Sequence, residues 1–486
     1  VVDHQILQIK SFANSNVVDL RRFYVTLTSI CYFLLFFTIL VACIGVLWIF
    51  FDIIVLNLNI GIFVFIGAVI IIVIYARIPI LIRKRFRKEN KLMIKKIEVL
   101  LFICGIITTC YAPTAVYDFY IYYHGFPKPP SHYDTRINDV LSPNATGLIY
   151  NTIPGVPSAH CSSLIRLQNG EIVCTWYAGT AEKHPDVAIY SARVNISFTS
   201  MDLVWSPPVV IADTVNQSDG QPTFYQCPDG RLILFYQEMR NTGPLFDTWG
   251  PVLQAGWGYC KLKMQESSDN GHTWSNPRYL WKNYLFIFRN PPLRTISGRV
   301  LVPLDGGYNQ ISGSFFINND PNLHDIWYMW GDLMAPHEAS QPAIQQLDNG
   351  NIFCVLRTAD NRIYRSLSHN DGTTWSTPKP MRFPNPNSNV ALLKLADGRL
   401  VILCNPQTAN RDRLSLILGD PTATYWSEPY DLINNPGGEY SYPSIVQAAD
   451  GSLIFTYTHE RWSIGWGHFS LNLLDQISLN MTAPEW

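Results

Sequence analysis

Six times along the second part of this chain an apolar stretch meets a tight glycine turn and leaves as another apolar stretch. The turns are QNGEIV at Gly170, PDGRLI at Gly230, SGRVLV at Gly298, DNGNIF at Gly350, ADGRLV at Gly398 and ADGSLI at Gly451, separated by 60, 68, 52, 48 and 53 residues. Asn-Gly and Asp-Gly favour two-residue hairpins, in which both turn positions need positive φ. The flanks alternate as strands do, and no amphipathic helical run intervenes. A two-layer sandwich does not normally repeat one unit six times, whereas a radial array does. The spacing predicts an all-β, six-bladed β-propeller over residues 150–486.

A second repeat runs out of phase with the first. Trp-Ser-x-Pro occurs at Trp205, Trp274, Trp375 and Trp426. Two copies carry a longer consensus, SSDNGHTW over 267–274 and SHNDGTTW over 368–375, and GDPTATYW ending at Trp426 is a degenerate third. This is the Asp-box turn, with Asn370 at the acidic position of its second copy. The acidic or amide side chain bonds turn amides, glycine takes the tight φ and tryptophan packs between strands. It is a folding staple.

The first 125 residues are of another kind. Uncharged runs cover Phe23–Phe51, Ile53–Ala76 and Val99–Tyr117, each long enough to cross a hydrocarbon core of roughly 30 Å as a helix. Residues 1–125 hold 12 Lys/Arg against 6 Asp/Glu, and the remainder 24 against 31, so a near-neutral whole conceals a basic and an acidic part. Nine of the twelve basic residues lie in the loop 77–97. The positive-inside rule puts that loop and the N-terminus in the cytoplasm. About three transmembrane helices would then anchor the chain in a lipid bilayer and deliver the propeller to the outside or a lumen, through a proline-bearing stalk over 126–149. Sequons at Asn144, Asn195, Asn216 and Asn480 all follow the anchor, as a lumenal domain permits.

With 15% charged residues, 13% aromatics and no Lys/Arg excess, the chain is neither disordered nor a dedicated nucleic-acid binder. Six cysteines follow the anchor, Cys161, Cys174, Cys227, Cys260, Cys354 and Cys404. Their spacing specifies no disulfide, and buried free thiols are at least as consistent with it. No Cys-x-x-Cys or His-x-x-x-His appears, which argues against a structural metal site.

Paired Asp boxes on a sixfold repeat resemble the sialidase (neuraminidase) superfamily, over roughly residues 150–475. The stretches HCSSLIRLQNGEIVCTWYAGTAEKHPDVAIY, QPAIQQLDNGNIFCVLR, FPNPNSNVALLKLADGRLVILCNP and GEYSYPSIVQAADG resemble more closely its BNR-repeat, sialidase-like branch. The resemblance implies a sialidase-like propeller, an acidic glycan as substrate and no cofactor. Such enzymes hold a sugar carboxylate with three arginines, whose forked guanidinium suits it. They pair a tyrosine nucleophile with a glutamate and use a further acid/base carboxylate. The matching positions are Arg357 in FCVLR and Arg411 in RDRL for the carboxylate, Tyr442 in YPSI for the nucleophile, and Glu182 in TAEKHPD for the acid/base, with Asp186 a close competitor.

Two positions depart from that pattern. The first arginine of the family is replaced by His160, in His-Cys-Ser, and the partner glutamate of the tyrosine by Gln341, with Glu338 three residues away. An Arg-Ile-Pro at Arg77 lies in the basic loop and is a false match. Asn385, Asn387, Asn405, Glu439, Tyr440 and His459–Arg461 are expected at the same funnel mouth. Three readings stay open. One is an exo-glycosidase acting on a terminal acidic sugar; another is a uronate lyase with His160 as base and Tyr442 as acid. The third is a propeller that binds carbohydrate without catalysis.

Overall fold

The computed structural model describes residues 141–194, 202–239, 245–247, 250–252, 257, 260–282, 286–306, 312–334, 339–479 and 484. The three apolar runs, the basic loop, Glu338, Asn195 and Asn480 lie outside them. Among the described residues no helix is long and apolar enough to cross a membrane. The chain divides into compact units of residues 1–117 and 118–486, and the second carries the fold described below.

Each predicted hairpin becomes the inner half of a four-stranded antiparallel blade. Blade 1 runs Ser158–Arg166, Ile172–Gly179, Ala188–Val194 and Val209–Ala212, and blade 2 runs Ser218–Gln226, Leu232–Met239, Cys260–Ser267 and Arg278–Trp281. Blade 3 has a broken inner strand, Phe286–Phe288 with Leu293–Arg294, followed by Val300–Gly306, Ser312–Asn318 and Tyr328–Met334. Blade 4 is Ser340–Gln346, Ile352–Arg357, Arg362–Ser368 and Lys379–Pro384; blade 5 is Ala391–Lys394, Leu400–Cys404, Arg413–Gly419 and Tyr430–Asn434. Blade 6 takes Tyr440–Gln447, Leu453–His459 and Ser463–Phe469 from the end of the chain and its outermost strand, Ala145–Leu148, from before blade 1. That strand lies inside the stretch read as a stalk. Its sequence, ATGL, has no apolar alternation by which to be recognised.

Blades pack face to face, so their middle strands are buried on both sides and read as continuous apolar runs. All eight residues of Ile172–Gly179 and of Leu232–Met239 are buried. The core is accordingly a ring of six apolar layers, one between each pair of neighbouring blades. Trp426 lies in the layer between blades 4 and 5 beside Phe353, at 5.7 Å between ring centroids. Near the chain's end, Trp466 is core between blades 6 and 1, whereas Trp462 is exposed. The six described cysteines are free and buried, and burial pushes the thiols of Cys161 and Cys227 up to about 12.

The six hairpin turns differ in one respect from the two-residue form that the sequence suggests. Only the glycine has positive φ, between 86° and 92° in all six, while the preceding Asn, Asp or Ser does not. In the first, Gly170 N–H donates to Leu167 O and Leu167 N–H to Glu171 O, which is a type I turn closed by a left-handed glycine bulge. The two-residue hairpin expectation is thereby corrected. The Asn or Asp before glycine instead braces the turn. Asn169, Asp229, Asn349, Asp397 and Asp450 each accept from the backbone N–H two residues on, at 2.9–3.1 Å.

At the blade rims the Trp-Ser-x-Pro repeats form one recurring clasp. Ser206, Ser275, Ser376 and Ser427 each accept a backbone N–H on their hydroxyl and donate their own N–H to a carbonyl of the third strand. Within the Asp boxes, Ser267 and Asp269, or Ser368 and Asn370, take the turn amides of Gly271 and Thr273, or Gly372 and Thr374. Trp375 then stacks on Phe315 of the preceding blade at 4.9 Å. A further copy escaped the sequence pattern: Asp320 in NNDPNLHDIW accepts from the amides of Asn322 and His324 without glycine or threonine.

Candidate functional site

The inner strands share an irregularity near their starts. Register slips between His160 and Ser163, Gly220 and Thr223, Ser340 and Ala343, and Ser441 and Ser444. At each slip one residue is left-handed: Cys161, Gln221, Gln341 and Tyr442, with φ of 59°, 49°, 53° and 54°. Asn387, just before the inner strand of blade 5, matches them at 51°. A non-glycine residue there costs about 1–2 kcal/mol, and a bulge re-aims side chains at the rim of a sheet. Four repetitions at one level bring chemically different residues to the axis.

Around Tyr442 the predicted residues converge. Arg357, at the end of the second strand of blade 4, donates from Nη1 to the Tyr442 hydroxyl at 2.8 Å and to Gln341 Oε1 at 3.1 Å. The guanidinium of Arg411 stands over the Tyr442 ring at 5.4 Å and that of Arg289 at 5.3 Å. His160 packs on the same ring, centroid to centroid 4.3 Å, with its Nδ1 at 2.8 Å from the Thr458 hydroxyl. Burial, then the charges of Arg461, Arg289, Arg411 and Arg357, holds the His160 pKa well below the ordinary histidine value and the ring neutral. Burial works against the charge of Arg357, but Tyr442, Asp305 and the bond to the phenol outweigh it and raise its pKa.

Beside this group lies a charged rim. Arg461 reaches both carboxylate oxygens of Glu439 from Nε at 2.9 Å, and Glu182 Oε2 from Nη1 at 2.7 Å. Glu182 Oε1 accepts from the Trp257 indole N–H at 2.8 Å. Arg411 Nη1 lies 3.6 Å from Glu439 Oε1, and its Nη2 donates to Asn387 O at 3.2 Å. Ser441 donates to Glu439 as well. His160, Glu182, Gln341, Arg357, Arg411, Glu439 and Tyr442 thus belong to one connected cluster, joined by Arg461.

The other predicted residues serve nearby backbone. Asp186 accepts from the amide and hydroxyl of Thr180 and pairs with His184 at 2.7 Å, folding the loop that carries Glu182. Asn385 accepts from Ser388 N–H, and Asn405 donates to the carbonyls of Arg413 and Tyr440. Glu460 accepts from the Tyr440 hydroxyl and from Glu439 N–H.

Arg289 and Trp257 are the residues that sequence reasoning missed. Arg289 was legible in principle, because Asn290-Pro291 occupies in blade 3 the place of Gln221-Pro222, Gln341-Pro342 and Tyr442-Pro443, and Arg289 directly precedes it. Trp257 comes from an insertion between the second and third strands of blade 2, where no repeat marks it. Among the described residues no group of three His, Cys, Asp or Glu is placed to hold a metal ion.

Several solved structures share this architecture. A protein of unknown function from Dyadobacter fermentans superposes with a TM-score of 0.55 at 17% identity, over 67% of this chain and 98% of its own. The NanB sialidase of Streptococcus pneumoniae gives 0.54 at 13% identity, over 68% of this chain and 71% of its own. The leech intramolecular trans-sialidase gives 0.53 at 15% identity, with coverages of 68% and 71%. At these identities the likeness is one of fold. None of the curated proteins matches the chain. Residues 170–455, more than half of the chain, match the BNR repeat-like domain family, and the chain belongs to that family.

Proposed function

We propose that this propeller is a glycosidase acting on the terminal acidic sugar of a glycan, sialic acid or a close relative, and that the N-terminal apolar runs anchor it in a membrane. The observation that supports this most directly is the 2.8 Å bond from Arg357 to the Tyr442 hydroxyl, with Arg411 over the same ring. A sugar carboxylate bound between Arg357 and Arg411 would set the anomeric carbon beside the phenol oxygen. Tyr442 then attacks that carbon or stabilises the positive charge developing on it, and Glu182 protonates the departing oxygen. To do so Glu182 must exchange its bond from Trp257 or Arg461 for one to the glycosidic oxygen. Gln341 has no carboxylate to take the phenolic proton. Neutral His160, packed on the ring, is the base at hand.

The same His160 favours one alternative. As base it would remove the proton alpha to a uronate carboxylate, with Tyr442 protonating the leaving oxygen and the two arginines neutralising the carboxylate. Product analysis on sialylated glycans and on glycans with a uronate substituted at C4 separates the routes, since elimination of the C4 oxygen leaves an unsaturated, ultraviolet-absorbing sugar and hydrolysis a saturated one. Tyr442→Phe is expected to lower kcat at least about 100-fold with little change in KM. Unchanged turnover in Tyr442→Phe and in Glu182→Gln would rule out both routes, and no turnover of any acidic glycan by the native chain would leave a carbohydrate-binding propeller.

A further inference from the structure

Glu182 stands on a loop of blade 1 whose turn is closed by His184 N–H to Ala181 O, with Lys183 left-handed at φ 72°. Its two carboxylate oxygens are held by different kinds of donor. Oε2 accepts from the Arg461 guanidinium at 2.7 Å, and Oε1 from the neutral Trp257 indole N–H at 2.8 Å. The difference matters once the carboxyl takes up a proton. A charge-assisted bond from guanidinium depends on a carboxylate, whereas the carbonyl oxygen of an undissociated carboxyl still accepts from a neutral N–H. Arg461 does not need Glu182 to stay paired, because its Nε reaches both oxygens of Glu439 at 2.9 Å.

Trp257 has a prepared seat. Gly220, near the start of the inner strand of blade 2, is not left-handed, so its backbone does not call for glycine. A Cβ at that position would stand 2.9 Å from Trp257 Cη2 and 3.0 Å from Cζ3. The absent side chain is what lets the indole lie against the strand. Tyr177 of blade 1 packs on the same indole, at 5.9 Å between ring centroids. Contacts from two blades thus fix the ring and the direction of its N–H.

We propose, resting on the glycosidase reading, that Trp257 seated on Gly220 is a positioning residue for Glu182: it keeps hold of Oε1 in both protonation states and leaves Oε2 to carry the proton. On protonation Arg461 releases Oε2 and stays with Glu439. The proton passes from Oε2 to the glycosidic oxygen as that oxygen's bond to the anomeric carbon breaks, the electron pair going to the oxygen. The carboxylate left behind returns to Arg461 and later regains a proton from the water that completes hydrolysis.

Acid assistance matters for a poor leaving group and little for a good one. The test compares kcat/KM of the full chain on sialyllactose, which must expel a sugar hydroxyl, with that on 4-methylumbelliferyl sialoside, whose leaving group needs little protonation. Trp257→Phe keeps an aromatic ring against Gly220 and removes the N–H. It is expected to lower kcat/KM on sialyllactose about tenfold and to leave the aryl sialoside nearly unchanged, a split that a merely structural role would not produce. Gly220→Ala is expected to reproduce the split by unseating the indole, and to add nothing in a Trp257→Phe background. Equal losses on both substrates in Trp257→Phe would overturn the positioning role. So would an unchanged rate on sialyllactose in Trp257→Phe while Glu182→Gln loses it, and in that case the glycosidase reading stands. A native chain that cleaves neither substrate, or a Glu182→Gln variant that cleaves both as fast as the native chain, removes the glycosidase reading and the positioning role together.

Discussion

His160 shows how a single side chain acquires a character that its sequence neighbours do not announce. In the unfolded chain it titrates near 6.5, whereas burial and four arginines keep it neutral in the folded state. Below pH 6.5 the unfolded chain therefore binds one proton more than the folded one, and stability falls as pH falls, by up to about 1.4 kcal/mol per pH unit. Asp219 acts with the opposite sign. Burial, only partly offset by Lys263, raises it from 3.8 to about 7, so its contribution is lost as pH rises through that range. Comparison of the native chain with His160→Gln isolates the histidine. Denaturant unfolding at pH 7.5 and pH 5.5 is expected to show a smaller acid loss in the variant; an equal loss in both would refute the assignment.

Much of the Tyr442 cluster was legible at this scale, because Arg357, Arg411, Tyr442 and Glu182 stand in local patterns that survive in one chain. Arg461 drew attention only as part of a polar segment. Its role as the link between Glu439 and Glu182 depends on a left-handed pair, Glu460 and Arg461 with φ of 49° and 57°, which no composition rule foretells. Trp257 was not legible at all, since an insertion owes nothing to the repeat around it.

At the scale of the element, glycine does two separate jobs that look alike in sequence. Gly350 closes a hairpin turn at φ 86° with open space where a Cβ would stand. Gly372 closes an Asp box at φ 78° with Leu301 Cδ1 2.5 Å from that position. Gly350→Ala is expected to cost about 1–2 kcal/mol, from the left-handed backbone alone. Gly372→Ala adds a clash with the core of the preceding blade and is expected to cost more, up to about 3 kcal/mol further. Urea unfolding of the two variants checks the order, and equal losses would mean that Leu301 yields without cost. The spacing of the turns was enough to place six hairpins. It was not enough to type them, because Asn-Gly and Asp-Gly serve both the two-residue turn and the glycine bulge, and the choice rests on the strand twist beyond. The irregular Asp box at Asp320 was lost for a related reason. Its turn amides are taken by the same kind of carboxylate, while the glycine and threonine that mark the pattern are absent.

At the scale of the whole molecule, ring closure rests on four residues that the sequence hid. Ala145–Leu148 pairs with Gly465–His468 and covers the outer edge of blade 6. Blade 6 meets blade 1 through Ala159 N–H to Arg461 O at 2.8 Å, Cys161 N–H to the Thr458 hydroxyl at 3.1 Å and Leu164 N–H to the Ser444 hydroxyl at 2.9 Å. Deleting residues 145–148 uncovers the edge of Ser463–Phe469, and the expected result is a lower thermal midpoint with aggregation on heating. Light scattering during the melt reads both effects, and an unchanged midpoint would show that the contacts between blades 6 and 1 close the ring unaided.

Because the earliest and the latest strands of the propeller lie side by side in one sheet, the point at which the chain enters the ring is incidental to its shape. The fold has no first blade. Joining Phe469 to Ala145 through a short flexible linker and opening the chain at an exposed turn such as Gly350 would give a circular permutant with the same six blades, the same axis and the same Tyr442 cluster. Such a chain would also free the propeller's position from that of whatever precedes it.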